Sequence, residues 1–543
     1  MESLYLAGVN SQKEGRVMVD YKKKEYTTDI LIIGGGIAAV FAATRATKAS
    51  AKVIIVDKGS IGRSGQTPFA SGMTIFDKEL GHDRDDWHRI LKENSEKLNN
   101  PAYLDMYMDY SKEIYNDLEE WGATKIGFGK VLRDKLFTNS NIKIIERTMI
   151  TTLLEKGGHI VGAIGFKLDK EEVVVIKAKS VILCTGAGGF KPNGFPIRSL
   201  TFDGDAMAYR IGAKISGKEF IDTHNTNNET PAYCWGPWQR MWNMGLPKST
   251  DRPVDGGGMA LDLTMFYDAH KGLIPVKMEM GPPPGGDKPP IDKNSDKDRS
   301  SIRKEDGPPP GMSGDIIGGS SAGLSVHKSE GLFPTNNKCS TNIKGLYAAG
   351  DCLSSMLVGP IYNGVVGFSS TGSAVQGAVA GEEAGKYIKT NEIKNISESK
   401  IESVIEEIFE PLNNKKGYSP AWIEHLIQGV LTPYYVLYIK EKDRLESALT
   451  MVEFYRDHFL PNLKAEDLHD LRKAHEVKNM LLNAEMKLRS SLFRTESRGN
   501  HYREDYPESD DKDWLVWVVM QKNNDGSMKL EKFPVEDFKK LIV

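Results

Sequence analysis

The chain has 543 residues, a net charge of −3 and four cysteines, a length that holds roughly two to four domains. The near-neutral balance excludes a global basic field for nucleic acid. Cys184, Cys234, Cys339 and Cys352 form no CxxC pair, which excludes a disulfide framework and a cysteine-rich zinc or iron–sulfur site.

The N-terminal stretch MESLYLAGVNSQKEGRVMVDYKKKEY has no apolar core behind a charged start. No apolar run approaches ~20 residues. Neither a signal peptide nor a membrane span is expected, and the expected compartment is the cytoplasm.

Asp29–Ile33 is too short and too β-branched for a helix and reads as a buried strand. Gly34, Gly35 and Gly36 follow, then a helical stretch from Ile37 to Lys48 and a second buried strand, Lys52–Val56, that ends at Asp57. Strand, glycine turn, helix and strand form a dinucleotide-binding unit. Gly34 serves the tight turn, Gly36 lets the backbone approach a pyrophosphate at the helix N-terminus, and the small Ala39 allows helix–sheet packing. Asp57, about 20 residues further on, accepts hydrogen bonds from ribose hydroxyls.

Two later strands end in the same way: SVILCTGAGGF at Gly186 and KGLYAAGDC at Gly350-Asp351. The three together are typical of flavoproteins that hold an extended FAD, with the late carboxylate meeting the ribityl region. No second glycine motif with its acid is present, so no separate NAD(P)H domain is expected.

At this point the chain resembles the succinate dehydrogenase/fumarate reductase flavoprotein family, which includes aspartate oxidase and the adenylylsulfate reductase flavoprotein. GSIGRSGQTPFASGM is similar to the family's Arg-Ser segment around the flavin. TFDGDAMAYRIGAKISGKEFIDTHNT, GLYAAGDC with YNGVVGFSSTGSAVQGAVAG, and RTESRGNHYREDYPESDDKDWLVW follow three further family stretches. The resemblance implies an α/β fold: a Rossmann-like FAD-binding domain, an inserted α+β cap and a C-terminal helical domain. The expected boundaries are an FAD-binding domain over 1–226 and 331–390, a cap with a Pro-rich loop over 227–330, a helical domain over 391–500 and a tail over 501–543. It also implies FAD contacts at Lys58, Arg63, Ser64, Asp205 and Ser369, beside the positions already named, and an external iron–sulfur electron-transfer subunit.

Departures from the family pattern shape the expected chemistry. Gly65 stands where covalently flavinylated members carry histidine, so FAD is expected to be noncovalent. Gly364 stands where the dicarboxylate enzymes carry the carboxylate-clamping Arg, whose bidentate grip glycine cannot supply. The family's His-Tyr-x-Met-Gly-Gly element is matched to Gly314–Gly319, which has no histidine. His224 matches a substrate-side histidine, and Arg240 and Arg252 are the candidates for an anion clamp or proton donor.

Trp235, Trp238 and Trp242 form either packing for a short cap or an aromatic wall for a planar substrate. Met280–Gly314 is rich in proline and charge and reads as a long surface loop or, alternatively, as a docking arm for a partner. His327 reads as an isolated histidine and Cys352 as a small buried thiol.

Beyond Gly381 the apolar spacing is helical. The stripe Leu468, Leu471, Ala474, Val477 and Leu481 reads as an ordinary bundle face. The last segment alternates around Asn-Asp-Gly and predicts a hairpin.

The expected function is an FAD-dependent oxidoreductase that moves a hydride or electrons between the flavin and a small-molecule substrate other than a typical C4-dicarboxylate. The alternatives are an adenylylsulfate-reductase-like flavoprotein and a noncatalytic flavin carrier for electron transfer.

Overall fold

The computed structural model describes residues 21–69, 72–123, 128–191, 198–227, 271–272, 316–325, 327–360 and 367–542. Strand β1 (Lys22–Ile33) is longer than the apolar run predicts. Its first half, KKKEYTT, is too polar to announce a strand but pairs in register with a later one. Helix α1 (Ile37–Lys48) and strand β2 (Val53–Val56) follow. Then come α2 (Arg84–Asn94), α3 (Pro101–Glu120) and α4 (Phe128–Phe137). Strands β3 (Ile142–Ile145), β4 (Thr148–Lys156), β5 (His159–Lys167) and β6 (Glu172–Leu183) complete the first half of the sheet.

The order is β3-β2-β1-β6-β5-β4. The first three neighbour pairs, out to β6, are parallel; β5 and β4 run antiparallel. The long β6 is shared along its length. Val173–Lys177 pairs with β5, and Val181–Leu183 pairs in parallel with the late β11 (Leu346–Ala348). That pairing brings the third glycine turn, at Gly350, to the same sheet edge as the first and second. Ile30–Ile32, Ile55, Val181–Leu183 and Leu346 are fully buried, as a parallel sheet covered on both faces requires.

Helix α5 (Asp203–Arg210) leads to β7 (Ile215–Ser216) and β8 (Ile221–Asn227). Strand β8 pairs antiparallel with β9 (Ile316–Ser325), so the two ends of the long insertion form one ribbon. The tryptophan group, Arg240, Arg252, Gly364 and the Met280–Gly314 loop lie outside the described residues.

Strand β10 (Gly331–Leu332) precedes β11, and α6 (Phe368–Tyr387) crosses α1. A Cβ on Gly377 would stand 2.1 Å from the Ala38 carbonyl oxygen, and one on Gly381 2.2 Å from that of Ala42. Two glycines one turn apart let the helices touch backbone to backbone. The N-termini of α1 and α6 thereby open on the same space.

Helices α7 (Glu398–Asn413), α8 (Pro420–Leu431), α9 (Lys442–His458) and α10 (Leu468–Phe493) make the helical part. The predicted stripe on α10 is buried at Leu471, Ala474, Val477 and Leu481, as a bundle face requires, but the burial does not stop at that stripe. The helix is buried on nearly every side from Ala474 to Ser491, and Glu476 and Lys487 are among its fully enclosed residues. Lys487 pairs with the equally buried Glu330.

The predicted hairpin is present as β12 (Val516–Lys522) and β13 (Met528–Pro534). It turns at Gly526, whose φ is +88°. It is no free tail: β12 pairs with β7, which pairs with β10, in a four-stranded sheet.

Candidate active site: the cofactor cavity

The C-terminal ends of β1, β2, β6 and β11 converge on a cleft of about 1140 Å³, its open mouth included. Gly34, at φ +112°, turns the chain out of β1; a Cβ there would stand 2.1 Å from the Cys184 carbonyl oxygen. Gly36 is the N-cap of α1 and supplies no side-chain cap. The first turn of α1 therefore meets the cavity as bare backbone, the arrangement that receives phosphate. One N–H of that turn is taken: Ile37 N donates to Thr67 Oγ1 at 3.1 Å.

Asp57 sits at one end of the cleft. The Gly59 N–H donates to its Oδ1 at 2.7 Å. Burial pushes its carboxyl up, against the pull of the Gly59 and Gly35 N–H groups and of Lys58. Lys58 also lines the cleft, but its ammonium is engaged by Asp203 (2.7 Å) and Glu476 (3.0 Å).

Gly350 (φ +80°), Asp351, Ser369 and Ser373 form the other wall. Ser369 Oγ donates to Asp351 Oδ1 at 3.1 Å, and Lys328 Nζ donates to the same oxygen at 2.5 Å. Asp351 Oδ2 lies 2.8 Å from His327 Nδ1. Burial pushes the Asp351 carboxyl up, but Lys328 and His327 outweigh it and hold the group well below the usual carboxylate range. Burial likewise works against a charged imidazole at His327, yet the Asp351 carboxylate outweighs it and raises His327 above its ordinary value.

Among the sequence-predicted residues, the cleft brings together Gly34, Gly36, Asp57, Lys58, Ser64, Gly186, Gly350, Asp351 and Ser369. Three stand apart from its lining. Ala39 is fully buried within the core, where its small side chain serves packing. Arg63 is exposed. Asp205 is buried against Lys218, which takes its carboxylate. His224 is on β8, in register with Ser320.

The histidine element also needs correction. Ile316–Gly319, within the predicted Gly314–Gly319 match, belongs to β9 in the insertion ribbon. The histidine that reaches the cleft wall is His327, followed four residues later by Gly331 at φ +134°. That His-x-x-x-Gly spacing was the available signal. Gln66, Thr67 and Ser373, also in the lining, carried none beyond lying in the glycine-rich segments.

The donor set fits FAD. A ribose-type acid stands at one end, a bare helix N-terminus at the glycine turn, and a carboxylate with serine hydroxyls at the far wall. A bound flavin supplies two-electron redox chemistry; the residues described here would hold and orient it.

Two family models match the chain: an FAD binding domain over residues 29–129 and a fumarate reductase flavoprotein C-terminal domain over residues 431–541. An uncharacterized FAD-dependent oxidoreductase of Methanocaldococcus jannaschii is 26% identical, over 94% of this chain and 99% of that protein. A fumarate reductase (CoM/CoB) subunit of Methanothermobacter marburgensis is 25% identical, over 89% of this chain and 95% of that protein. Among solved structures, E. coli quinol fumarate reductase superposes with a TM-score of 0.76 at 19% identity, covering 94% of this chain and 97% of that one. Adenylylsulfate reductase of Archaeoglobus fulgidus superposes at 0.75 and 19% identity, covering 97% and 99%.

Proposed function

We infer that this chain is an FAD-dependent oxidoreductase of the fumarate reductase/succinate dehydrogenase kind, whose substrate is not a typical C4-dicarboxylate and whose second electron partner is external. The observation that carries the substrate reading is Gly364 in the place of the family's clamping Arg. His327, held by Asp351 beside the cofactor wall, is a candidate polar group for a substrate anion; a dicarboxylate needs counter-charges at both ends. Burying an anion without its partner costs several kcal/mol, and a loss of ~4 kcal/mol lowers catalytic efficiency about a thousandfold. His224, Arg240 and Arg252 are our candidates on the cap side, and the Trp235/Trp238/Trp242 group is the candidate apolar wall.

The partner reading rests on what the sequence carries. There is no second dinucleotide motif, and the four cysteines are in no cluster spacing. Cys184, Cys339 and Cys352 are buried free thiols. An iron–sulfur electron-transfer protein is the proposed partner. Among the described residues no helix is long and apolar enough to cross a membrane.

Anaerobic photoreduction followed by stopped-flow mixing tests both readings. Fumarate is expected to reoxidise the flavin slowly, and NADH or NADPH to leave oxidised flavin unreduced. Rapid reoxidation by micromolar fumarate would overturn the substrate reading. It would also favour the second one, fumarate reduction with His327 and a cap arginine sharing the clamp.

A further inference from the structure

Asp351 is gripped from two sides. Lys328 Nζ meets Oδ1 at 2.5 Å, and His327 Nδ1 faces Oδ2 at 2.8 Å. Lys328 is 1% exposed and also donates to Ser373 Oγ. Asp351 and Ser373 both line the cavity. A buried lysine is costly unless paired, and this one is spent on a carboxylate that already has a histidine and a serine.

The charge on the wall follows by counting. Lys328 and Asp351 cancel, and Asp222 also faces His327, so these four groups carry −1 when His327 is neutral and no net charge when it is protonated. The cavity runs from the ribose acid Asp57 past the phosphate turn at Gly34–Gly36 to this wall. An extended FAD read in that order brings its ribityl chain to Asp351, with the flavin beside this wall.

We propose that Lys328 is a positioning residue that acts on the flavin through Asp351, cancelling the Asp351 charge at the flavin-side wall so that the two-electron potential lies higher than without the lysine and is linked to protonation of His327. Reduction puts an electron pair and one proton on the flavin, the electrons coming from an external low-potential donor. The added negative charge in a poorly solvated site draws a second proton onto His327. Among the described residues, the groups that face His327 include Asp351, Lys328, Asp222 of β8 and the Gln66 amide. The proposal needs FAD in the cavity and is independent of the substrate reading.

The test uses the full-length holoprotein and dye-equilibrated midpoint potentials across the neutral and alkaline range. Lys328→Met is expected to lower the midpoint by at least about 30 mV, equivalent to a tenfold shift in a two-electron equilibrium. Lys328→Arg should restore it. The wild-type midpoint should fall more steeply with pH where His327 titrates, and His327→Gln should remove that bend. An unchanged midpoint in flavin-loaded Lys328→Met overturns the proposal. If that variant does not fold, the pH line decides alone: no bend in the wild type, or the same bend in His327→Gln, overturns it.

Discussion

Lys58, at the end of the dinucleotide motif, reaches 3.0 Å to Glu476, buried in the middle of α10 more than 400 residues later in the chain. Lys191 and Arg472 converge on the same carboxylate. Burial pushes Glu476 up, but the three cations outweigh it and bring it down to about 2. The cofactor strand and the helical part are thus joined through one buried charge.

Glu476→Gln leaves those cations around a neutral amide. Removing one partner from a buried ion pair costs about 3–5 kcal/mol. Urea unfolding should show a loss of this size, together with weaker FAD retention, because Lys58 lines the cofactor cleft. A loss below about 1 kcal/mol, the size seen for exposed pairs, would contradict the assignment.

Asp57→Ala is expected to remove charge-assisted hydrogen bonds to the adenosine ribose, each worth roughly 1.5–3 kcal/mol. FAD titration of the apoprotein should show binding weakened roughly tenfold to a hundredfold. Unchanged affinity would mean that Asp57 serves only its own turn, through the Gly59 N–H.

Gly65 has a left-handed φ of +75°, and a Cβ there would meet nothing within 4 Å. Room exists, but the residue has no group to bond the flavin. Acid precipitation should release all the yellow cofactor to the supernatant; flavin fluorescence in the washed pellet would refute noncovalent binding.

His475 lies under α7, with Nε2 3.0 Å from the Ile408 carbonyl oxygen. Burial pushes it down from 6.5 to about 3. Below 6.5 the unfolded chain takes a proton that the folded one refuses, so stability falls with pH. The loss is about 1.4 kcal/mol per unit until the folded value near 3 is reached. Unfolding curves of His475→Gln should have a shallower pH slope in this window; an equal slope would place the titration elsewhere.

Gly377→Ala adds a Cβ 2.1 Å from the Ala38 oxygen, where the three nearest atoms are all Ala38 backbone and cannot yield as a flexible side chain would. Overpacking of this kind costs about 1–3 kcal/mol. Because α1 and α6 both open on the cleft, FAD affinity should fall along with the melting temperature. A drop in stability with full affinity would separate the helix crossing from cofactor binding.

The local motifs were legible in the sequence alone because each is set within a few residues. The glycine turn after Ile33, the helix from Ile37 to Lys48, the acid at Asp57, the strand ends at Gly186 and Gly350 and the hairpin at Gly526 all follow from short-range sterics and alternation. Only the tertiary structure decided which distant charges meet. Periodicity reports whether a face is apolar; it carries no term for a partner hundreds of residues away. Hence α10 read as a plain amphipathic helix although Glu476 answers Lys58 and Lys487 answers Glu330. His327 likewise read as an isolated histidine until β11 aligned on β6 and carried Asp351 to its side. Burial makes such pairs obligatory once the chain is folded, since an unpaired charge in that core costs more than the fold can spare.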